Sequence, residues 1–335
     1  MAERIDTSQL MQAEFTLESF DSIYSQWQEI QGNSVASPIF SLPHWSRTWW
    51  QQLGHGARLF LGAVRCQGRV IGIVPLLVKD DTASFIGGID VCDYLDFVVE
   101  PGTEQVFFQS LLDNLVSAGV LQLNLAPLRP DSTVVTRMTD IARKQGWQVT
   151  CSREDVAVEV DLPATWDQYL QMLTGKQRHE LRRKLRRLGE EGELNHRVSI
   201  DANQKDIDTF VKLFRDSRRD KATFLTPKME SFFRAIASLM AEQGLLRLNM
   251  LELNATPVAA TMCFDYQGTV HLYNSGYNPS YGWLSVGLLS KALCIKDSIE
   301  RRRKRFDFLK GGEAYKYHLG GHEIPLYRCQ LKYAT

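Results

Sequence analysis

The run GTVHLYNSGYNPSYGWLSVGLLSKALCIKDSIERRRKRFDFLK, residues 268–310, decides the fold. Gly268 is a turn residue, and the β-rich run after it reads as a strand ending near Tyr277. From Ser285 to Glu300 the apolar residues Val286, Leu288, Leu289, Leu293 and Ile295 recur at helical spacing. FDFL follows as a short buried strand, and strand alternation puts Phe306 and Phe308 on one face and Asp307 on the other. Upstream, LLRLNMLELNATPVAATMCFDY reads as two strands around Asn254-Ala255. The order is therefore β-β-β-α-β.

The first half has the same order. RLFLGAVRCQGRVIGIVPLLV gives two strands around Gln67-Gly68, SFIGG a third, Thr103–Ala118 a helix, and VLQLNLAPL the closing strand. The stretch before them, to about Leu53, reads as helical with a loop at Asn33–Pro43. Two units of equal order and nearly equal length suggest two copies of one fold, with an accidental echo as the alternative. The expected class is α/β, with two tandem units, 1–155 and 156–335. Each is a mixed, mostly antiparallel sheet flanked by helices, and they join near Thr150–Pro163.

The chain has 335 residues, 44% of them hydrophobic, enough for two cores. Its formal net charge is +0, so no global field favours nucleic acid or an anionic membrane, and any such preference must be local. The polar start, MAERIDTSQLMQAEF, lacks the apolar centre of a signal peptide, and no run is long enough to span a bilayer. A cytoplasmic protein is expected. Cysteines 66, 92, 151, 263, 294 and 329 form no CxxC pair and no metal-ligand spacing. Buried free thiols, and no metal, are the expectation.

The two helix starts differ. The first, VVEPGTEQVFF, carries Glu100 and Glu104, which satisfy the helix dipole and would repel a phosphate. The second, GYNPSYGWLSVGLLSK, has no acid near its first turn. Ser285 and Gly287 there make either an anion site suited to a pyrophosphate or an ordinary serine cap with a helix glycine.

Behind FDFL the loop KGGEAYKYH crowds Glu313, Tyr315, Lys316 and Tyr317 beside that helix start. It reads either as a glycine turn with solvated charges or as a site. In the latter, Glu313 or Asp307 serves as base, Lys316 as acceptor or anion anchor, and a tyrosine as proton relay. Tyr94 and Asp96, on the irregular segment of the first unit, are candidates for an acceptor cleft between the units, with a polar loop as the alternative. The basic helix Lys176–Arg187 has one narrow leucine seam. It is a solvated face, or a contact for an anionic substrate or headgroup, or for RNA. Arg301–Arg305 read as cations at a helix C-terminus. His44-Trp45 and Trp49-Trp50 read as aromatic packing at a helix start.

These residues carry a resemblance. The stretch from Val258 to Gly320, with SPIFSLPHWSRTWWQQLG, CDYLDFVVEPG and TGKQRHELRRKLRRLGEEGE, resembles GNAT-superfamily acyltransferases of the CelD-like (cellulose-biosynthesis acetyltransferase) family. That group is related to the Fem peptidyltransferases. FDFLKGGEAYK and SPIFSLPHWSRTWW are its most specific parts. The resemblance implies tandem GNAT-like units, with the acyl donor in the second. It implies transfer from acetyl-CoA to an amine or hydroxyl of a sugar or polysaccharide-related acceptor. Carried over, Tyr273, Asn274 and Ser275 lie along the donor arm, and Ser285, Val286, Gly287 and Leu288 hold its pyrophosphate. Tyr277 and Tyr315 line the substrate side. Trp283–Gly287 departs from the usual Gln/Arg-x-x-Gly-x-Gly/Ala loop. The alternatives are therefore an aminoacyl-tRNA donor, contacted by Lys176–Arg187, and a non-catalytic binding protein.

Overall fold

The computed structural model describes residues 13–33 and 37–334. Most of the polar N-terminal start, and residues 34–36 of the expected loop, lie outside the described residues. Contacts divide the chain into two compact units, 1–154 with 325–335, and 155–324.

The first unit runs β1 (Ala13–Leu17), α1 (Phe20–Asn33), α2 (Pro43–Leu53), β2 (Arg58–Cys66), β3 (Arg69–Lys79), β4 (Thr82–Phe85), β5 (Val98–Val99), α3 (Glu104–Ser117), β6 (Gln122–Leu128) and α4 (Thr139–Lys144). β7 (Trp147–Asp161) begins there and ends in the second unit. That unit continues with α5 (Trp166–Met172), α6 (Gly175–Glu190), β8 (Leu194–Ser199), α7 (Gln204–Ser217), α8 (Arg219–Phe224), α9 (Pro227–Glu242), β9 (Leu246–Leu253), β10 (Thr256–Tyr266), β11 (Thr269–Tyr277), α10 (Val286–Glu300), β12 (Arg305–Lys310) and α11 (Ala314–His318). β13 (His322–Tyr333) starts in the second unit and finishes in the first. The first unit's sheet runs β1-β2-β3-β4-β6, then the end of β13 and the start of β7, and the second's runs from the end of β7 through β12-β11-β10-β9-β8.

The repeated order is present in both units. β2–β3 and β9–β10 are antiparallel hairpins, closed at Gln67-Gly68 and Asn254-Ala255, where all four residues have positive φ, the backbone of tight hairpin turns. After the helix, β4–β6 and β11–β12 pair in parallel. Four features differ from the expectation. The start is not all helical, because β1 pairs with β2 from Ala13↔Cys66 to Leu17↔Gly62. β7 passes unbroken through the expected join. KGGEAYKYH holds a short helix, α11. Residues 325–335 belong to the first unit, because β13 pairs with β6 from Tyr327↔Leu128 to Lys332↔Gln122.

One face of the second sheet, with Val160, Phe306 and Phe308, packs with Leu181 of α6 and with Leu289 and Ile295 of α10. The other face meets α7 and α9 through Phe214, Phe233 and Tyr273. α7 lies so close to β11 that a Cβ at Gly276 would sit 2.2 Å from the Phe214 backbone nitrogen.

Two thiols overturn the free-cysteine expectation. Cys151 and Cys329 form a disulfide between β7 and β13, with a Cα–Cα distance of 4.2 Å, while Cys66, Cys92, Cys263 and Cys294 are buried thiols outside any disulfide. Partners 178 residues apart give no sequence signal; strand pairing brings them together. The cross-link closes a long loop in the unfolded chain, so reduction, or Cys151→Ser, is expected to lower unfolding free energy by about 2–4 kcal/mol. Urea denaturation with and without reductant measures it.

Candidate functional site

The site begins where two strands part. β11 and β12 pair in parallel only at Thr269↔Arg305, Val270↔Phe306 and His271↔Asp307. Beyond that β11 runs on to Tyr277 and β12 to Lys310, so the β11 edge from Leu272 onward is released from β12. The register of β11 against β10 also slips, from Cys263↔Leu272 to Met262↔Asn274, which makes Tyr273 a bulge.

α10 starts at the rim of this crevice. Side chains cap α5, α6, α7 and α9 at Thr165, Thr174, Asn203 and Thr226. α10 has no such cap: Ser285 adopts a left-handed backbone, φ 58°, and the first turn carries no acid. The cap read from the sequence is therefore absent. α3 keeps Glu104 in its first turn, so the expected contrast between the helix starts stands in the structure. A Cβ at Gly287 would lie 3.1 Å from the Tyr277 ring, so a glycine there also serves packing.

The loop behind β12 is built by two residues read as catalytic. Leu309 has φ 62°, a costly backbone for leucine, and its N–H donates to Asp307 Oδ1 at 2.7 Å. Lys316 is 1% exposed. Its ammonium donates to the carbonyls of Leu309, Lys310 and Gly311 at 3.0, 2.8 and 2.8 Å and meets Glu313 Oε2 at 2.9 Å. Every donor is used, so Lys316 clamps the loop instead of presenting a free cation. Asp307, also 1% exposed, holds the loop's strained turn and shares a sheet face with Glu159 and His271. Glu313 remains half-exposed. Burial pushes its carboxyl up, the Lys316 ammonium pulls it down, and the balance lies below the ordinary carboxylate range.

Two lysines that the sequence did not flag complete the crevice. Lys221, on α8, donates to the Ser275 carbonyl and lies over the Phe214 ring. Lys291, on α10 and 6% exposed, donates to the Gly287 carbonyl at 2.8 Å and sits 4.8 Å from the Tyr315 ring centroid. Tyr315 in turn packs edge-on against Phe308. Burial, then Arg218, lowers Lys221 to about 8, while burial, then Lys221, lowers Lys291 to about 7. Lys291 follows Gly287 by four residues and precedes Cys294 by three. It thus lies on the buried face of its helix, and a lysine inside that stripe was the available signal.

The structure thus brings together Ser275, Tyr277, Gly287, Glu313, Tyr315 and Lys316. Asn274 and Leu288 are partly exposed nearby, whereas Val286 and Tyr273 are buried, and Tyr273 packs with Phe233 and Phe264. Tyr94 and Asp96 are interior to the first unit. Tyr94 packs against Phe40 and under Arg129. Asp96 accepts from Thr133 N–H and Thr133 Oγ1, both at 2.7 Å, and from Phe97 N–H at 2.9 Å. Arg301 and Arg303 bind Asp265 at 2.8 and 2.9 Å, so they act through an ion pair rather than through the helix dipole alone. On α6, Arg183, Lys184 and Arg186 pair with Glu180 and Glu190, while Arg187 lies over the exposed Trp283 ring. No described helix is long and apolar enough to cross a membrane.

Residues 175–317, from α6 through most of α11, match the family model described as an acetyltransferase (GNAT) domain. That stretch of the second unit is a GNAT acetyltransferase domain. A domain of this kind supports an acyltransferase, and so an enzyme. The chain resembles the structure of FemX with a TM-score of 0.65 at 11% identity, over 94% of this chain and 96% of that one. A tandem GNAT protein from the clavulanic acid biosynthesis pathway gives 0.51 at 12%, over 95% and 98%. The C-terminal domain of a putative lysylphosphatidylglycerol synthetase from Agrobacterium fabrum gives 0.58 at 11%, over 93% and 92%. At these identities the likeness is one of fold, and it agrees with tandem GNAT units. No curated protein sequence matches the chain.

Proposed function

We propose that the second unit transfers an acyl group from acyl-CoA, with acetyl-CoA the first candidate, to an amine or hydroxyl of a saccharide-type acceptor. The observation that supports this most is the parting of β11 from β12 beneath a helix start free of acid and of a side-chain cap. Backbone N–H groups at such a start suit a pyrophosphate. The released edge of β11, through Asn274 and Ser275, offers main-chain groups to an extended amide-bearing arm. The acceptor's nitrogen or oxygen bonds to the acyl carbon, the carbon–sulfur bond breaks, and the acceptor's proton passes to a base and then to the departing sulfur. Holding both partners in register supplies much of the acceleration. Glu313, ionised and half-exposed, is the group we assign to the proton, while Asp307 and Lys316 shape the loop that carries it.

Acetyl-CoA is expected to raise the melting temperature saturably, by about 2.7 kcal/mol of stability at a hundredfold excess over its dissociation constant. Ser285→Asp tests the helix start. Aspartate tolerates the left-handed backbone and suits the helix dipole, so the free protein should melt unchanged or slightly higher, while the acetyl-CoA shift should largely vanish. An undiminished shift would place the pyrophosphate elsewhere. A response to aminoacyl-tRNA with none to any acyl-CoA would favour the Fem-like donor.

A further inference from the structure

We propose that Lys221 and Lys291 form a binding site for a carboxylate or phosphate group of a substrate inside the second-unit crevice. The inference rests on the acyl-transfer reading above for its substrate, but not for its geometry.

The geometry is that of two cations with too little to neutralise them. Lys291 is almost fully buried, and Lys221 is partly so. Among the described residues neither forms an ion pair with a carboxylate. The carboxylates within electrostatic reach are Asp220, which is committed to Arg218, and Glu313, which is committed to Lys316. Each lysine meets one carbonyl oxygen, of Ser275 or of Gly287, and the face of one aromatic ring. An ammonium has three donors, so each keeps hydrogens for a further partner. The two lie within electrostatic reach of each other, and Arg218 stands close enough to influence Lys221, Tyr315 and Glu313. Burying like charges together disfavours the empty protein, and a bound anion removes that penalty. The contrast with Lys316 is direct, because that lysine is also buried yet spends every donor on the protein.

The site lies at Ser275, on the released edge of β11, and at Gly287, in the first turn of α10. An anion there belongs to the reacting end of a substrate. Two sources share this chemistry: an acceptor that carries a carboxylate or phosphate, and a donor whose acyl group ends in a carboxylate.

Inorganic phosphate and acetate serve as probes, with melting temperature as the readout. Both wild type and Lys291→Met are titrated near neutral pH, with Lys221→Met as the second variant. The proposal expects the wild type to rise saturably with at least one anion, and either methionine variant to weaken that response by roughly thirtyfold or more. It also expects Lys291→Met to melt higher than the wild type when no anion is present, because a buried charge has been replaced by an apolar chain of similar length. A larger shift with succinyl-CoA than with acetyl-CoA, erased by Lys291→Met, would assign the anion to the donor. A shift with a uronic acid or sugar phosphate, erased in the same way, would assign it to the acceptor. A wild type indifferent to every anion, with both variants melting lower than it, would overturn the site and make the lysines structural. An anion response without any acyl-CoA response would keep the site and count against the acyl-CoA reading.

Discussion

Lys316→Met is expected to destabilise the second unit by about 3–5 kcal/mol, the range for removing one partner of a buried charge cluster. The ammonium satisfies three main-chain carbonyls in a bend where Leu309 has φ 62° and Gly311 has φ 101°. Without it those oxygens lose their donors, and each buried acceptor left unmade costs about 1–3 kcal/mol unless water reaches it. Glu313 loses its ion pair at the same time. Acyl transfer should fall with the loop, since Glu313, Tyr315 and the end of β12 depend on it. Chemical denaturation beside steady-state kinetics separates this from a role in contacting substrate. An anchor of the acceptor would lower activity while leaving the denaturation midpoint in place. Loss of stability, with methionine doing no better than alanine, marks a loop clamp.

The strand order, the glycine-turned hairpins and α10 were legible because each rests on local periodicity or turn chemistry. The apolar residues from Val286 to Ile295 mark α10 within three turns of sequence, and Gly68 and Gly268 mark their turns by backbone freedom alone. β1, β8 and β13 were not legible, since half-exposed strands alternate weakly and their partners are remote in sequence. The same reason hid the Cys151–Cys329 bond. In the site, the sequence crowded the right residues into FDFLKGGEAYK but could not assign their work. Asp307 and Lys316 resemble catalytic groups by type. What separates a clamp from a catalyst is which donors remain free, and that depends on a bend set by Leu309 and Gly311. Lys221 and Lys291 were passed over because lysines in helices face water by default. Only the packing of α8 on β11, and of α10 over Tyr315, turns them inward.

The stability difference between wild type and Asp96→Asn is expected to change strongly with pH. Asp96 is 6% exposed, and burial raises its carboxyl to about 7 in spite of three hydrogen bonds that favour the charge. In the unfolded chain it titrates near ~3.9. Between these values the folded protein holds a proton that the unfolded chain has released. The stabilisation is therefore complete below about pH 4 and is lost as pH rises through about 7, with a total of about 4 kcal/mol for three pH units. Asparagine offers one acceptor oxygen in place of two, so it leaves Thr133 N–H or its hydroxyl unsatisfied. That costs about 1–3 kcal/mol at every pH. At pH 5 the variant should thus be the less stable protein, and the gap should close or reverse by pH 8.5. The comparison is made by urea unfolding of both proteins across this range. Taking the difference cancels Lys221 and Lys291, whose lowered values act with the opposite sign: their penalty is full below about 7 and disappears towards ~10.4. A gap that stays constant from pH 5 to 8.5 would mean that Asp96 is ionised throughout, with its three donors outweighing burial.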